Sequence, residues 1–166
     1  AEDQGFKIDI RSLGWDAAVA AVQSGQADGL IAGASITDER KANGWIFSDS
    51  YFDSCQIFAV AAGSDIDSFE DLAGKNVGAQ VGTYQVKLAQ EAKAAEVKQL
   101  DSNSQAWMEL QANTLDAVVI DQPVAMYYLK QGAGKDLKIV GTQKDGSGMV
   151  FAFKKDNKQL QEGVNK

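Results

Sequence analysis

Thr37-Asp38-Glu39-Arg40 follows the run Leu30-Ile31-Ala32-Gly33-Ala34-Ser35, and these residues carry the most legible chemistry in the chain. The planar guanidinium of Arg40 offers parallel N–H groups that match the two oxygens of a carboxylate. Ser35 and Thr37 add hydroxyls, and Gly33 marks a point where backbone can approach a small molecule closely. Further on, Asp121 ends an apolar run with a carboxylate. Gly82-Thr83 precedes a predicted helix, whose first N–H groups favour an anion. A guanidinium on one wall of a cleft and a carboxylate on the other match a zwitterion, and an α-amino acid is the simplest case. On that reading Arg40 takes the α-carboxylate, helped by the Ser35 hydroxyl and the amides of Gly82 and Thr83. Asp121 holds the ammonium, helped by the Gly33 carbonyl. Trp15 could lay its ring over the ligand's aliphatic part or sit in the core. Gln80 could read a side-chain amide or carboxylate, or cap a strand end.

These residues need elements that place them at strand ends. Alternation over Phe6–Ile10 predicts a strand, and residues 14–24 a helix burying Trp15, Ala18, Val19 and Val22 on one face. A strand over 28–32 leads to a short helix over 37–43, capped by Thr37. A strand over 57–61 precedes a helical turn in which Ser68 and Asp71 have capping-box spacing. Strands at 75–80, 97–100 and 116–120 alternate with helices at 84–95, 103–112 and 123–131, and Pro123 suits a helix start. Strands at 137–140 and 149–153 and a helix at 157–164 complete the pattern. Alternating β and α units predict a parallel sheet covered on both faces. Ligands bind such sheets beyond the carboxyl ends of the strands. Gly33, Ser35, Gln80 to Thr83 and Asp121 all fall there. The segments Ala18–Ile31 and Ala106–Val119 are also near-copies, with Ala18, Gln23 and Asp28 matching Ala106, Gln111 and Asp116. Two lobes built on one plan suggest two half-sites.

Bulk composition narrows the function class. A net charge of −7 with scattered lysines argues against nucleic acid, which needs clustered basic residues. With one cysteine and no histidine, the chain has no internal disulfide, and zinc, copper and Ser-His or Cys-His chemistry are improbable. Cys55 reads as a small buried thiol. No apolar run reaches membrane-spanning length, and the N-terminus lacks the layout of a signal peptide, so the chain reads as soluble and either mature, cytosolic or trimmed. No catalytic group, metal or cofactor is expected.

The runs Trp15-Asp16-Ala17-Ala18-Val19, Gln23-Ser24-Gly25-Gln26-Ala27-Asp28 and Ser35-Ile36-Thr37-Asp38-Glu39-Arg40-Lys41 carry a resemblance, together with Phe47-Ser48-Asp49 and Tyr51-Phe52. Phe69-Glu70-Asp71-Leu72-Ala73-Gly74-Lys75, Val81-Gly82-Thr83 and Leu115-Asp116-Ala117-Val118-Val119-Ile120-Asp121-Gln122-Pro123 extend it. Together they resemble the extracytoplasmic solute-binding proteins of polar amino-acid ABC importers. The resemblance implies an α/β, two-lobed, type II periplasmic-binding-protein fold with parallel-rich sheets, here partial. It places lobe I at residues 1–52 plus 149–166 and lobe II at 53–148, with crossovers near 51–56 and 142–148. It implies an extracytoplasmic protein that delivers an amino acid to a membrane permease. The family's ligand contacts fall on Trp15, Gly33, Ser35, Arg40, Thr83 and Asp121. Members of the family ordinarily begin with a strand and helix ahead of residue 1 and continue past Lys166. On that comparison lobe I lacks a strand, which a partner chain or swapped segment would complete. Gln80 stands where a basic residue is common, and glutamine-type binders are the nearest by eye. A dehydratase on the same fold, acting on amino-acid-like substrates, and a sensory ligand-binding domain are the alternatives.

Overall fold

The computed structural model describes residues 4–5, 7–144 and 148–166. Its helices end where the sequence supplies a residue able to turn left-handed. Helices α1 (Trp15–Gln23), α3 (Tyr84–Glu91), α4 (Asn103–Gln111) and α5 (Gln122–Lys130) run into Gly25, Lys93, Asn113 and Gly132, with φ of 77°, 57°, 56° and 79°. The next N–H then reaches back into the last turn: Gln26 to Ala21, Ala94 to Ala89, Thr114 to Glu109, and Ala133 to Tyr128, at 2.8–3.3 Å. Such bonds satisfy carbonyls that the helix end leaves unpaired.

Glycine takes this conformation freely, whereas Lys93 pays a steric penalty on the order of 1–2 kcal/mol. Its position also explains why α3 stops at Glu91, short of the expected Ala95. Lys93→Gly is therefore expected to stabilise the chain by about 0.5–1 kcal/mol after glycine's extra unfolded-state entropy. Scanning calorimetry should show a melting temperature raised by roughly 1–4 °C. An unchanged or lowered value would show that the turn is not strained.

The chain divides into two compact units, Ala1–Phe52 with Met149–Lys166, and Asp53–Gly148. The first holds a three-stranded sheet in the order β1-β8-β2, from β1 (Gly29–Ala34), β2 (Trp45–Phe47) and β8 (Val150–Lys154). Helices α1, α2 (Asp38–Ala42) and α6 (Lys158–Val164) belong to the same unit. Its core gathers Val22, Leu30, Ala34, Trp45 and Ala152, with Trp15, Ala18 and Val19 packed against them.

The second unit holds a five-stranded sheet in the order β5-β4-β6-β3-β7. Its strands are β3 (Cys55–Ala61), β4 (Asn76–Gln80), β5 (Glu96–Leu100), β6 (Ala117–Asp121) and β7 (Leu137–Lys144). Alternate residues of β3 serve opposite faces. Phe58 and Val60 pack with Leu88 and Ala89 of α3, while Ile57 and Ala59 pack with Trp107 and Leu110 of α4 and Ala125 of α5. Burial on both faces explains why Ile57–Val60 and Ala117–Ile120 are continuously apolar.

The sheets are mixed α/β, not wholly parallel. Strands β4, β5, β6 and β7, joined in succession by α3, α4 and α5, run one way, because each helical crossover returns the chain to its starting direction. β3 runs against them, between β6 and β7. β8 likewise runs against β1 and β2. Each reversed strand is the first one the chain makes after passing from one unit into the other.

Other expectations need correction. Residues 7–10 form no strand, and Ile8 and Ile10 are 60% and 82% exposed. Alternation becomes a strand only where a ladder partner exists, and none of the described strands pairs with them. Phe6 lies outside the described residues, as do residues 145–147 of the second expected crossover. β1 continues through Gly33 to Ala34, because a register shift between Leu30 and Ala34 absorbs the glycine. Cys55 is only half-buried, with its Sγ 2.9 Å from Gln122 Oε1.

Ser68 and Asp71 form one half of the expected box, the Asp71 carboxylate accepting from the N–H groups of Asp67 and Ser68 and from the Ser68 hydroxyl. These donors, the Asp67 N–H first, hold the Asp71 carboxyl below its usual range. Its stabilising contribution is thus present at neutral pH and lost as acid protonates it.

Candidate functional site

In the first unit the site is built on the end of β1 and the start of α2. Gly33 has φ 66°, and its N–H donates to the Tyr51 hydroxyl at 3.2 Å. A Cβ here would meet the Met149 side chain at an ordinary 3.4 Å, so it is the left-handed backbone that calls for glycine at this position. Ser35, buried at 5% exposure, follows the strand. Thr37 caps α2, its hydroxyl accepting the Arg40 N–H at 3.2 Å. That cap sets the first helical turn from which Arg40 projects.

The Arg40 guanidinium donates to the Ser35 carbonyl at 2.6 Å and lies 5.0 Å over the Trp15 ring. Trp15 packs against the core, one of the two roles its sequence position suggested, and its ring also faces Arg40. Burial pushes the Arg40 pKa down, with Glu39 opposing. An arginine starts so high that the group stays charged at any physiological pH. A guanidinium has five N–H donors, so a fork already bonded to Ser35 retains capacity for a bidentate carboxylate. Arg40 therefore touches both Ser35 and Trp15, with Gly33 two residues before Ser35.

In the second unit the candidates lie at the carboxyl ends of β4 and β6, which are adjacent and parallel. Gln80 donates its side-chain amide to the Asp101 carbonyl at 3.1 Å, tying the end of β4 to the turn after β5. Thr83 precedes α3, but its hydroxyl donates back to the Gln80 carbonyl at 2.6 Å instead of capping the helix. Asp121 closes β6, and each of its carboxylate oxygens accepts from a glutamine amide: Oδ1 from Gln56 Nε2 at 2.7 Å and Oδ2 from Gln85 Nε2 at 3.0 Å. Gln85 joins the first turn of α3 to Asp121, and so draws Thr83 and Asp121 into one neighbourhood.

Sequence reasoning missed Gln56 and Gln85. Both are buried, at 1% and 5% exposure. Gln56 did leave a signal, as a polar residue leading into the run Ile57-Phe58-Ala59-Val60, where a two-sided buried strand admits few polar groups. Its Oε1 is buried with no hydrogen-bond partner. An unsatisfied buried acceptor of this kind costs about 1–3 kcal/mol. Among the described residues no three histidine, cysteine or carboxylate side chains cluster to hold a metal. No described helix is long and apolar enough to cross a membrane.

Comparison with known proteins identifies the family. The chain is 30% identical over 172 residues to the arginine-binding extracellular protein ArtP of Bacillus subtilis, covering 100% of this chain and 66% of that protein. A solved ancestral arginine-binding protein bound to arginine superposes with a TM-score of 0.88 at 40% identity, covering 99% of this chain and 74% of that one. A solved ancestral arginine-binding protein bound to glutamine gives 0.89 at 39%, covering 99% of this chain and 73% of that one. The chain spans 52–66% of the length of the curated relatives it matches. The profile of the bacterial extracellular solute-binding proteins, family 3, matches residues 1–166, and the chain belongs to that family.

Proposed function

We propose that the chain binds a free polar L-α-amino acid outside the cytoplasm and delivers it to an ABC-type membrane permease, without catalysis or a cofactor. One observation carries the reading: each unit fixes one charged group of opposite sign beside a strand end. Arg40 is held by Ser35 and Trp15, and Asp121 by Gln56 and Gln85. Arg40 takes the α-carboxylate, with Ser35 and the N–H groups at Gly82-Thr83 assisting. Asp121 takes the ammonium, with the Gly33 carbonyl. Trp15 and Gln80 meet the side chain. Residues 1–52 plus 149–166 act as one lobe and 53–148 as the other, closing on hinges near 51–56 and 142–148. Affinity that needs both charges favours closure.

Glutamine is the leading candidate. Arg40 and Asp121 are the two charged members of the set, and both are taken up by the ligand's main-chain charges. An uncharged side chain then suits Gln80. The relatives named for arginine and histidine make the cationic amino acids the natural competitors.

A thermal-shift panel of the twenty amino acids tests the reading. A ligand at one hundred times its Kd adds about 2.7 kcal/mol to the folded state, which raises the melting temperature by roughly 5–10 °C. Glutamine should lead the panel. A lead by arginine or histidine would keep amino-acid binding and correct the side chain. A flat panel would remove the function.

A further inference from the structure

Resting on the amino-acid reading above, we propose that Gln56 and Gln85 are positioning residues, a two-sided amide clamp that sets the Asp121 carboxylate for the ligand's ammonium group. The clamp comes from two different elements. Gln56 stands directly opposite Asp121 in the antiparallel β3–β6 pair, and Gln85 stands in the first turn of α3. One amide takes each oxygen, at 2.7 and 3.0 Å. A carboxylate gripped at both oxygens cannot rotate about its terminal bond without breaking a bond. An ungripped one at a strand end samples a broad torsion.

Packing alone does not account for glutamine at position 56. The side chain is 1% exposed, yet its Oε1 meets no donor. An apolar side chain would avoid that orphaned acceptor. What glutamine supplies there is the Nε2 bond to Asp121. A site preorganised by buried supporting groups binds more tightly because less ordering remains to be done on association.

The test uses the full chain and four probes: L-glutamine, L-arginine and their amine-free counterparts, 4-carbamoylbutanoate and 5-guanidinopentanoate. Calorimetry on the wild-type chain should show at least one α-amino acid bound more tightly than its amine-free counterpart. Gln56→Met and Gln85→Met keep the length of the side chain and remove its donor. Each should cut that preference by about tenfold while changing affinity for the amine-free acid less than about threefold, the size expected for one charge-assisted bond.

In an Asp121→Asn background the same substitutions should leave the preference unchanged, because a positioning residue acts only through its target. Gln85→Met, at a helix start, carries the test if Gln56→Met does not fold. Equal losses for both members of a pair would assign the glutamines a merely structural role and overturn the clamp. A wild-type chain that binds none of the four probes would bring down the amino-acid reading itself, and the positioning role with it. A preserved clamp effect on arginine alone would support the clamp and correct only the ligand's side chain.

Discussion

Arg40→Ala is expected to abolish amino-acid binding measurable by calorimetry while leaving the chain folded. Charge-assisted hydrogen bonds contribute about 1.5–3 kcal/mol each, and a bidentate fork makes two of them. Losing both should weaken affinity by roughly 10²–10⁴-fold, which takes a micromolar ligand out of range. The fold should tolerate the change. The guanidinium bonds the Ser35 carbonyl and faces the Trp15 ring, but it is only half-buried and belongs to no core cluster. Arg40→Lys separates charge from geometry, because an ammonium keeps the charge without the planar fork. It should recover only a small part of the lost affinity. Wild-type affinity in the alanine variant would refute the carboxylate role outright.

Asp121→Asn is the second large effect, and its signature is selective. The substitution keeps size and removes the negative charge proposed to face the ligand's ammonium. α-Amino acids should lose about 10–150-fold in affinity, the equivalent of one strong charge-assisted bond. Amine-free acids of the same side chain should lose much less. Competition calorimetry with the paired compounds reads the difference directly. Equal losses for both would count against an ammonium contact. The variant also leaves Gln56 and Gln85 facing an amide, whose nitrogen cannot accept their N–H groups. A modest fall in melting temperature should accompany the binding defect.

How much of this could be read from the residues differs by kind of evidence. Helix and strand order was legible because apolar periodicity and caps are local. Thr37 and Ser102 cap their helices through side-chain bonds to Arg40 and Gln105, as their residue types suggest. The near-copy noticed between Ala18–Ile31 and Ala106–Val119 extends to backbone conformation. Gly25 and Asn113 occupy the same left-handed place after α1 and α4.

Non-local facts were not legible. β2 has three residues, too few for a period to show. The alternation over residues 7–10 looked like a strand but has no ladder to join. Reversal of β3 and β8 depends on which strands flank them in space, and periodicity within one segment carries no such information.

The site divides the same way. Arg40 and Asp121 declared themselves by charge at strand ends. The Trp15–Arg40 contact and the two glutamines on Asp121 depend on residues distant in sequence, and amides carry no charge to draw notice.

The arrangement of β8 has a consequence for how the chain is made. β1 and β2 share no direct pairing among the described residues, and each bonds only to β8. During synthesis neither β1 nor β2 therefore meets its β8 partner until residues 150–154 leave the ribosome. The unit spanning 53–148 is continuous and can complete its five strands first. Nascent β1 and β2 spend that interval without their β8 ladder, and open strand edges are prone to wrong partners. Pairing order thus inverts chain order: β8, made after both, is the strand that lets β1 and β2 form a ladder.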